Sequence, residues 1–143
     1  RMLSDYVMTQ ANCESKRTVD DSIGLASYPM DSHSCQRVVV KEKGTMTVRN
    51  EGNMGYKCPQ PYPIAYRSIV PKKEECNNLL VPLCLSASHV AYGSIRMEPV
   101  FMIMGQSAGV AASLAMDADV SVQDIDMDKL RQHLEAEKQV LYP

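Results

Sequence analysis

Asp31 and His33 stand two residues apart in the string Ser27-Tyr28-Pro29-Met30-Asp31-Ser32-His33. Pro29 keeps Tyr28 out of the helical region, so this stretch is predicted to be extended. On an extended chain, residues i and i+2 share a face. A carboxylate beside an imidazole on one face can pass a proton or hold a substrate. His33 is therefore a candidate catalytic residue. Arg67, on a strand expected over 64–70, is a second. Metal chemistry is not expected. Cys13, Cys35, Cys58, Cys76 and Cys84 are widely spaced, contain no C-x-x-C pair and are odd in number.

The elements that must position these groups are read from periodicity and punctuation. Residues 1–9 read as a strand, with a short helix fitting almost as well. Residues 9–22 are polar and read as a loop with a short helix. Val38, Val39, Val40, Met46 and Val48 flank Lys43-Gly44, which predicts a hairpin over 37–49. Residues 50–63 hold Gly52, Gly55, Pro59, Pro61 and Pro63 and read as loop. The apolar run Leu79 to Leu85 predicts a buried strand of a parallel sheet, although Pro82 cannot donate to a ladder. A polar turn, 86–97, then leads into a long helix that opens at Glu98-Pro99. Glu98 is its expected cap, and Pro99 fits its first turn. A last helix, capped by Asp126, runs to about Glu137 with Leu130 and Leu134 inward.

The long helix has an unusual composition. Gly105, Ala108, Gly109, Ala112 and Ala115 place small side chains at helical spacing. Two mid-helix glycines cost about 1 kcal/mol each relative to alanine, so close approach of a backbone or a flat ligand is expected to offset them. Within the helix, Gly105-Gln106-Ser107-Ala108-Gly109 fits G-x-S-x-G, the exposed nucleophile elbow of serine hydrolases. The acid and the histidine of such a triad would follow the serine, and only His133 does. A serine esterase is accordingly one alternative reading.

The chain has 143 residues, enough for a real core, and is 45% apolar and 22% charged. A net charge of −2 gives no reason to expect a nucleic acid or an anionic membrane as partner. No run is read as long enough to span a bilayer. The chain begins with Arg1 and shows no charged-then-apolar leader, so the native N-terminus is expected to be missing. Its location, cytoplasmic or periplasmic, stays open. No G-x-G-x-x-G or G-x-x-x-x-G-K-[ST] phosphate loop occurs.

Three strings carry a resemblance across nearly the whole chain: DYVMTQANCESKRTVDDSIGLASYPMDSH (5–33), YPIAYRSIVPKKEECNNLL (62–80) and SASHVAYGSIRMEPVFMIMGQSAGVAASLA (86–115). In content and order they resemble the C-terminal part of bacterial FAD-dependent oxidoreductases related to fumarate reductase and glutathione reductase. Some members of that branch are labelled xanthan lyase. The resemblance implies a mixed α/β fragment. Residues 1–70 would belong to a β-rich substrate domain and 71–118 would return to a Rossmann-like FAD domain. Residues 119–143 would form a helical tail. It further implies FAD as cofactor, contacted by Ser86, Ala87, Ser88, His89, Ser94, Arg96 and Met97. The flavin would exchange electrons with an organic, carbohydrate-related substrate. The N-terminal half would be a partner that supplies the phosphate loop, so the isolated chain should bind FAD weakly or not at all. The alternative outside enzymology is a stand-alone α/β interaction domain.

Overall fold

The computed structural model describes residues 2–143; Arg1, the expected start of the first strand, lies outside the described residues. The chain is mixed α and β. A short helix, α1 (Gln10–Cys13), is followed by six strands and then by three helices. The strands form three separate antiparallel pairs. β1 (Ser22–Ala26) pairs with β6 (Tyr62–Ala65), β2 (Met30–Ser32) with β5 (Met54–Tyr56), and β3 (Gln36–Glu42) with β4 (Thr45–Glu51). The helices are α2 (His89–Ile95), α3 (Glu98–Ala118) and α4 (Met127–Ala136).

The β3–β4 hairpin forms where the sequence places it. Lys43 (φ 48°) and Gly44 (φ 86°) both take positive φ, as a two-residue hairpin turn requires. Residues 50–63 are more ordered than a loop, because 54–56 pair with β2 and Tyr62 opens β6. The strand expected over 64–70 ends early. Tyr66 to Ser68 form a 3-10 turn, so Arg67 leaves the sheet instead of lying in it.

No parallel sheet forms among the described residues; the parallel pairing is a single bridge, Met8 to Ala87. Residues 2–8 bend at Asp5 and Tyr6 and join no regular ladder. The Met2 and Met8 N–H groups donate to the Cys84 and Ser86 carbonyls, and the Ser88 N–H donates to the Met8 carbonyl. The run Leu79 to Leu85 is likewise no buried strand. Leu79 is 46% exposed and Leu83 52%, while Leu85 is fully buried. Pro82 interrupts any ladder there, and the neighbouring backbone bonds go to the turn at 66–69: Val81 N–H to the Ile69 carbonyl and Ser86 N–H to the Ser68 carbonyl.

The core runs between these elements. Met8, Ile23, Ile64, Ile69, Leu85, Ile95, Met104, Leu130 and Leu134 are fully buried and belong to one cluster. α3 packs on β1 and α4, and α2 packs on β2. The cap of α3 is Met97, not Glu98. Glu98 is the first helical residue, where its charge complements the helix dipole. Asp119 ends α3 in the left-handed region (φ 51°, ψ 48°), and its N–H reaches the Ala115 and Met116 carbonyls. The helix is thus closed by an aspartate, one of the few non-glycine residues enriched there. Asp126 caps α4 through the Asp128 and Lys129 N–H groups, and Leu130 and Leu134 face inward as expected.

For α3, one expectation is overturned and a second is not met within this chain. By length and composition it is long and apolar enough to cross a membrane. One side, with Val100, Met104, Ser107, Ala108, Ala111 and Ala115, is spent in the core. The two glycines do not allow a close approach within this chain. A Cβ built on Gly105 or Gly109 would meet nothing within 4 Å, and that face is open, with Met102 and Met116 mostly exposed.

Candidate functional site

The site is built where α2 presses on β2. The expected polar turn at 86–97 is mostly this helix. Ser88 caps it, its hydroxyl accepting the Ala91 N–H at 3.2 Å. The helix can approach the strand so closely because residue 93 is glycine. A Cβ there would lie 2.4 Å from the Asp31 carbonyl oxygen. This approach brings the C-cap of α2, Arg96, over the Asp31 side chain. Asp31 Oδ2 lies 3.1 Å from Arg96 Nη2 and 3.5 Å from His33 Nε2. Asp31 and Arg96 are both about one-third exposed, whereas His33 is 80% exposed.

One carboxylate thus stands between a guanidinium and an imidazole. The imidazole faces a cleft of about 270 Å³ that Asp31, His33, Cys35, His89, Tyr92 and Arg96 help to line. A second cleft, of about 470 Å³, shares residues 31–34 and continues to Arg37, Asn50 and Asn53 on the hairpin side. Together they form a trough on both sides of His33, polar toward the hairpin and more apolar toward α2, where Tyr92 lines it. The arrangement can orient a polar substrate and hold a proton at His33 Nε2. Among the described residues no cluster of three or more metal-ligating side chains forms.

The other predicted residues separate into different environments. Arg67 is remote from this pairing in its contacts. Its Nε and Nη2 donate to Asp21, and Nη2 also donates to Asp20. Its guanidinium lies 5.0 Å from the Tyr6 ring centre. The hydrogen bond to Asp21 holds its pKa above the ordinary arginine value. His33 and Arg67 are therefore not brought together. Ser86 is buried and its hydroxyl accepts the Ser4 N–H at 3.1 Å. Ala87 contributes the backbone bridge to Met8. Ser94 is buried, donating to the Tyr28 carbonyl and accepting the Tyr62 hydroxyl at 2.6 Å. Met97 caps α3 and packs on the core. Of the seven residues that the resemblance points to, His89 and Arg96 line the trough.

Sequence reasoning missed the cluster behind the site. Tyr62, Ser94, Cys58 and the Tyr28 carbonyl form a hydrogen-bonded group that ties β6 to α2. Burial pushes the Tyr62 phenol far above its ordinary value. Burial also pushes the nearby Cys13 thiol up to about 11, so it stays protonated and a poor nucleophile at neutral pH. The sequence signal available was the strand-like stretch Tyr62–Ala65 itself; the partners across the fold were not in it.

The G-x-S-x-G string lies inside unbroken α3, not on a strand-to-helix turn. Ser107 is fully buried. Its hydroxyl donates to the Ile23 carbonyl at 2.9 Å and accepts from Gln139 Nε2 at 2.7 Å. An elbow serine must be exposed at a strained turn, so the esterase reading fails. Ser107→Ala should cost about 1 kcal/mol for the lost hydrogen bonds, and Ser107→Leu roughly 1–3 kcal/mol by overpacking. Thermal unfolding of the two variants should rank them in that order. A fluorophosphonate probe should leave Ser107 unlabelled.

These features define a mixed α/β chain that carries a polar trough and no phosphate-binding glycine turn. A family model for FAD dependent oxidoreductases matches residues 1–134, and the chain belongs to that family. Its cofactor is FAD and its chemistry is flavin-linked oxidation and reduction. Searches of curated proteins and of solved structures returned no match. The Ser86 and Ser88 hydroxyls each accept a backbone N–H, the Ser94 hydroxyl donates to the Tyr28 carbonyl, and no G-x-G-x-x-G turn is present to cradle a pyrophosphate.

Proposed function

We propose that this chain is the C-terminal part of a larger FAD-dependent oxidoreductase and that its Asp31–His33–Arg96 trough faces the substrate. The missing phosphate turn supports the first half of this reading, since family membership requires FAD and this chain lacks the cradle for it. The observation that carries the second half is the shared carboxylate. Asp31 stands 3.1 Å from Arg96 and 3.5 Å from His33 on the wall of the cleft beside α2. FAD supplies a two-electron acceptor or donor when bound. The chain's own residues orient the substrate, and His33 takes or returns the proton that accompanies its oxidation or reduction. Asp31 lies beside the imidazole and attracts its protonated form. Arg96 keeps the carboxylate from standing unpaired in a half-buried place.

The complete enzyme tests this with two variants of opposite sign. Arg96→Ala adds one unit of negative charge to the trough, and Asp31→Asn removes one. If the trough borders the flavin, the first should lower the flavin midpoint potential and the second should raise it. Each shift should be tens of millivolts, at about 30 mV per 1.4 kcal/mol for two electrons. Substrate-driven flavin reduction should slow in both, in Asp31→Asn because the carboxylate beside His33 is neutralised and in Arg96→Ala because the potential falls. A purely structural pair would move stability and leave both potentials where they were, and that outcome removes the trough from the active site.

A further inference from the structure

The hairpin side of the trough has a feature that the Asp31–Arg96 pair does not account for. Arg37 lines the cleft of about 470 Å³, and its guanidinium has no hydrogen-bond or ion-pair partner among the described residues. Asn50 stands directly across the β3–β4 ladder from it, and Asn53 follows on the same wall. Neither amide side chain has a hydrogen-bond partner among the described residues. Ser32 and Ser34 line the same cleft, the Ser32 hydroxyl donating to the His33 carbonyl at 3.4 Å. We propose that this cleft binds a polyhydroxylated carboxylate, with the carboxylate on Arg37 and the hydroxyls on Asn50, Asn53 and the serines.

The chemistry follows from the donors. Arg37 offers a planar fork that matches one carboxylate through two parallel N–H···O bonds. Two free amides offer both donors and acceptors, which suits hydroxyl groups. The lining residues, 31–34 with Arg37, Asn50 and Asn53, contain no large apolar side chain, so nothing there rewards an apolar ligand. The charge has the right sign. The two clefts hold one aspartate, Asp31, against two arginines, Arg37 and Arg96, in a chain of net charge −2. A carboxylate fits better than a phosphate. The second guanidinium, Arg96, is already engaged by Asp31, and one free cation meets one negative charge. As a substrate assignment this inference rests on the trough reading above; as a binding site it stands on Arg37.

The test is calorimetric or NMR titration of the 143-residue chain with galacturonate, galactose and galactose 6-phosphate, three sugars that differ only at carbon 6. Galacturonate should bind at least tenfold tighter than galactose. Arg37→Gln should abolish that preference, Arg37→Lys should keep part of it, and Asn53→Ala should weaken both sugars by a similar factor. Arg37 is exposed on a two-stranded hairpin, so its variants should keep the wild-type amide spectrum. Equal affinity for galacturonate and galactose, or a preference that survives Arg37→Gln, overturns the proposal. Tighter binding of galactose 6-phosphate than of galacturonate overturns the carboxylate assignment. If the chain binds galacturonate through Arg37 but Arg37→Gln leaves the KM of the complete enzyme unchanged, the binding site holds and the substrate-site reading falls.

Discussion

Gly93→Ala should destabilise this chain although alanine is the better helix former. Gly93 lies inside α2, where alanine would gain about 1 kcal/mol in propensity. Against that stands contact. The new Cβ would lie 2.4 Å from the Asp31 carbonyl oxygen and 3.2 Å from its amide nitrogen, and both are backbone atoms that cannot rotate away. Either α2 or β2 must shift. Overpacking of this kind costs about 3 kcal/mol, so the net loss should be roughly 2 kcal/mol. For a chain of this size that lowers the Tm by roughly 6–10 °C. The shift should also part Arg96 from Asp31, because the two are held by the same helix-strand contact. Gly105→Ala and Gly109→Ala are the controls. Nothing lies within 4 Å of either added Cβ, so each should raise stability by up to about 1 kcal/mol. A Gly93→Ala chain as stable as wild type would show that α2 does not press on β2.

Arg67→Met should be the next most damaging single change, through Asp21. The Asp21 side chain is only 9% exposed and accepts three bonds from Arg67: the backbone N–H at 2.8 Å, Nε at 3.0 Å and Nη2 at 3.1 Å. Removing the guanidinium leaves a nearly buried carboxylate with one of these donors. Breaking a buried pair costs 3–5 kcal/mol, but the guanidinium is half exposed, so roughly 1–3 kcal/mol is expected here. The double variant Arg67→Met, Asp21→Asn should recover part of that loss, because no unpaired charge then remains. Thermal unfolding of the two singles and the double closes the cycle. Additive losses would show that Arg67 and Asp21 do not act on each other. This structural role also explains why Arg67 sits apart from His33.

The Asp31–His33 pairing was legible before any coordinates. Pro29 enforces an extended chain, and period two does the rest. The hairpin at Lys43-Gly44 and the amphipathic α4 were legible for the same kind of reason: turn chemistry and periodicity act over a few residues. Arg67 was misplaced by a local cause too small to see. β6 stops at Ala65, and one 3-10 turn redirects the side chain to Asp21, 46 residues earlier.

The remaining errors share a physical origin. An apolar run such as Leu79 to Leu85 can be a buried strand or an extended segment, and only its partners decide. Here those partners are residues 2–8 on one side and the turn at 66–69 on the other, with Pro82 unable to donate between them. The G-x-S-x-G string has the same ambiguity, since a serine elbow and a helical small-residue face share one spelling. Burial against Ile23 and Gln139 made Ser107 structural. Local chemistry, then, was carried by sequence alone: turns, caps, periodicity, and which residues could share a face. Tertiary structure decided which charges meet. Arg96 is 65 residues from Asp31 along the chain, and only the close approach permitted at Gly93 sets that guanidinium beside the carboxylate.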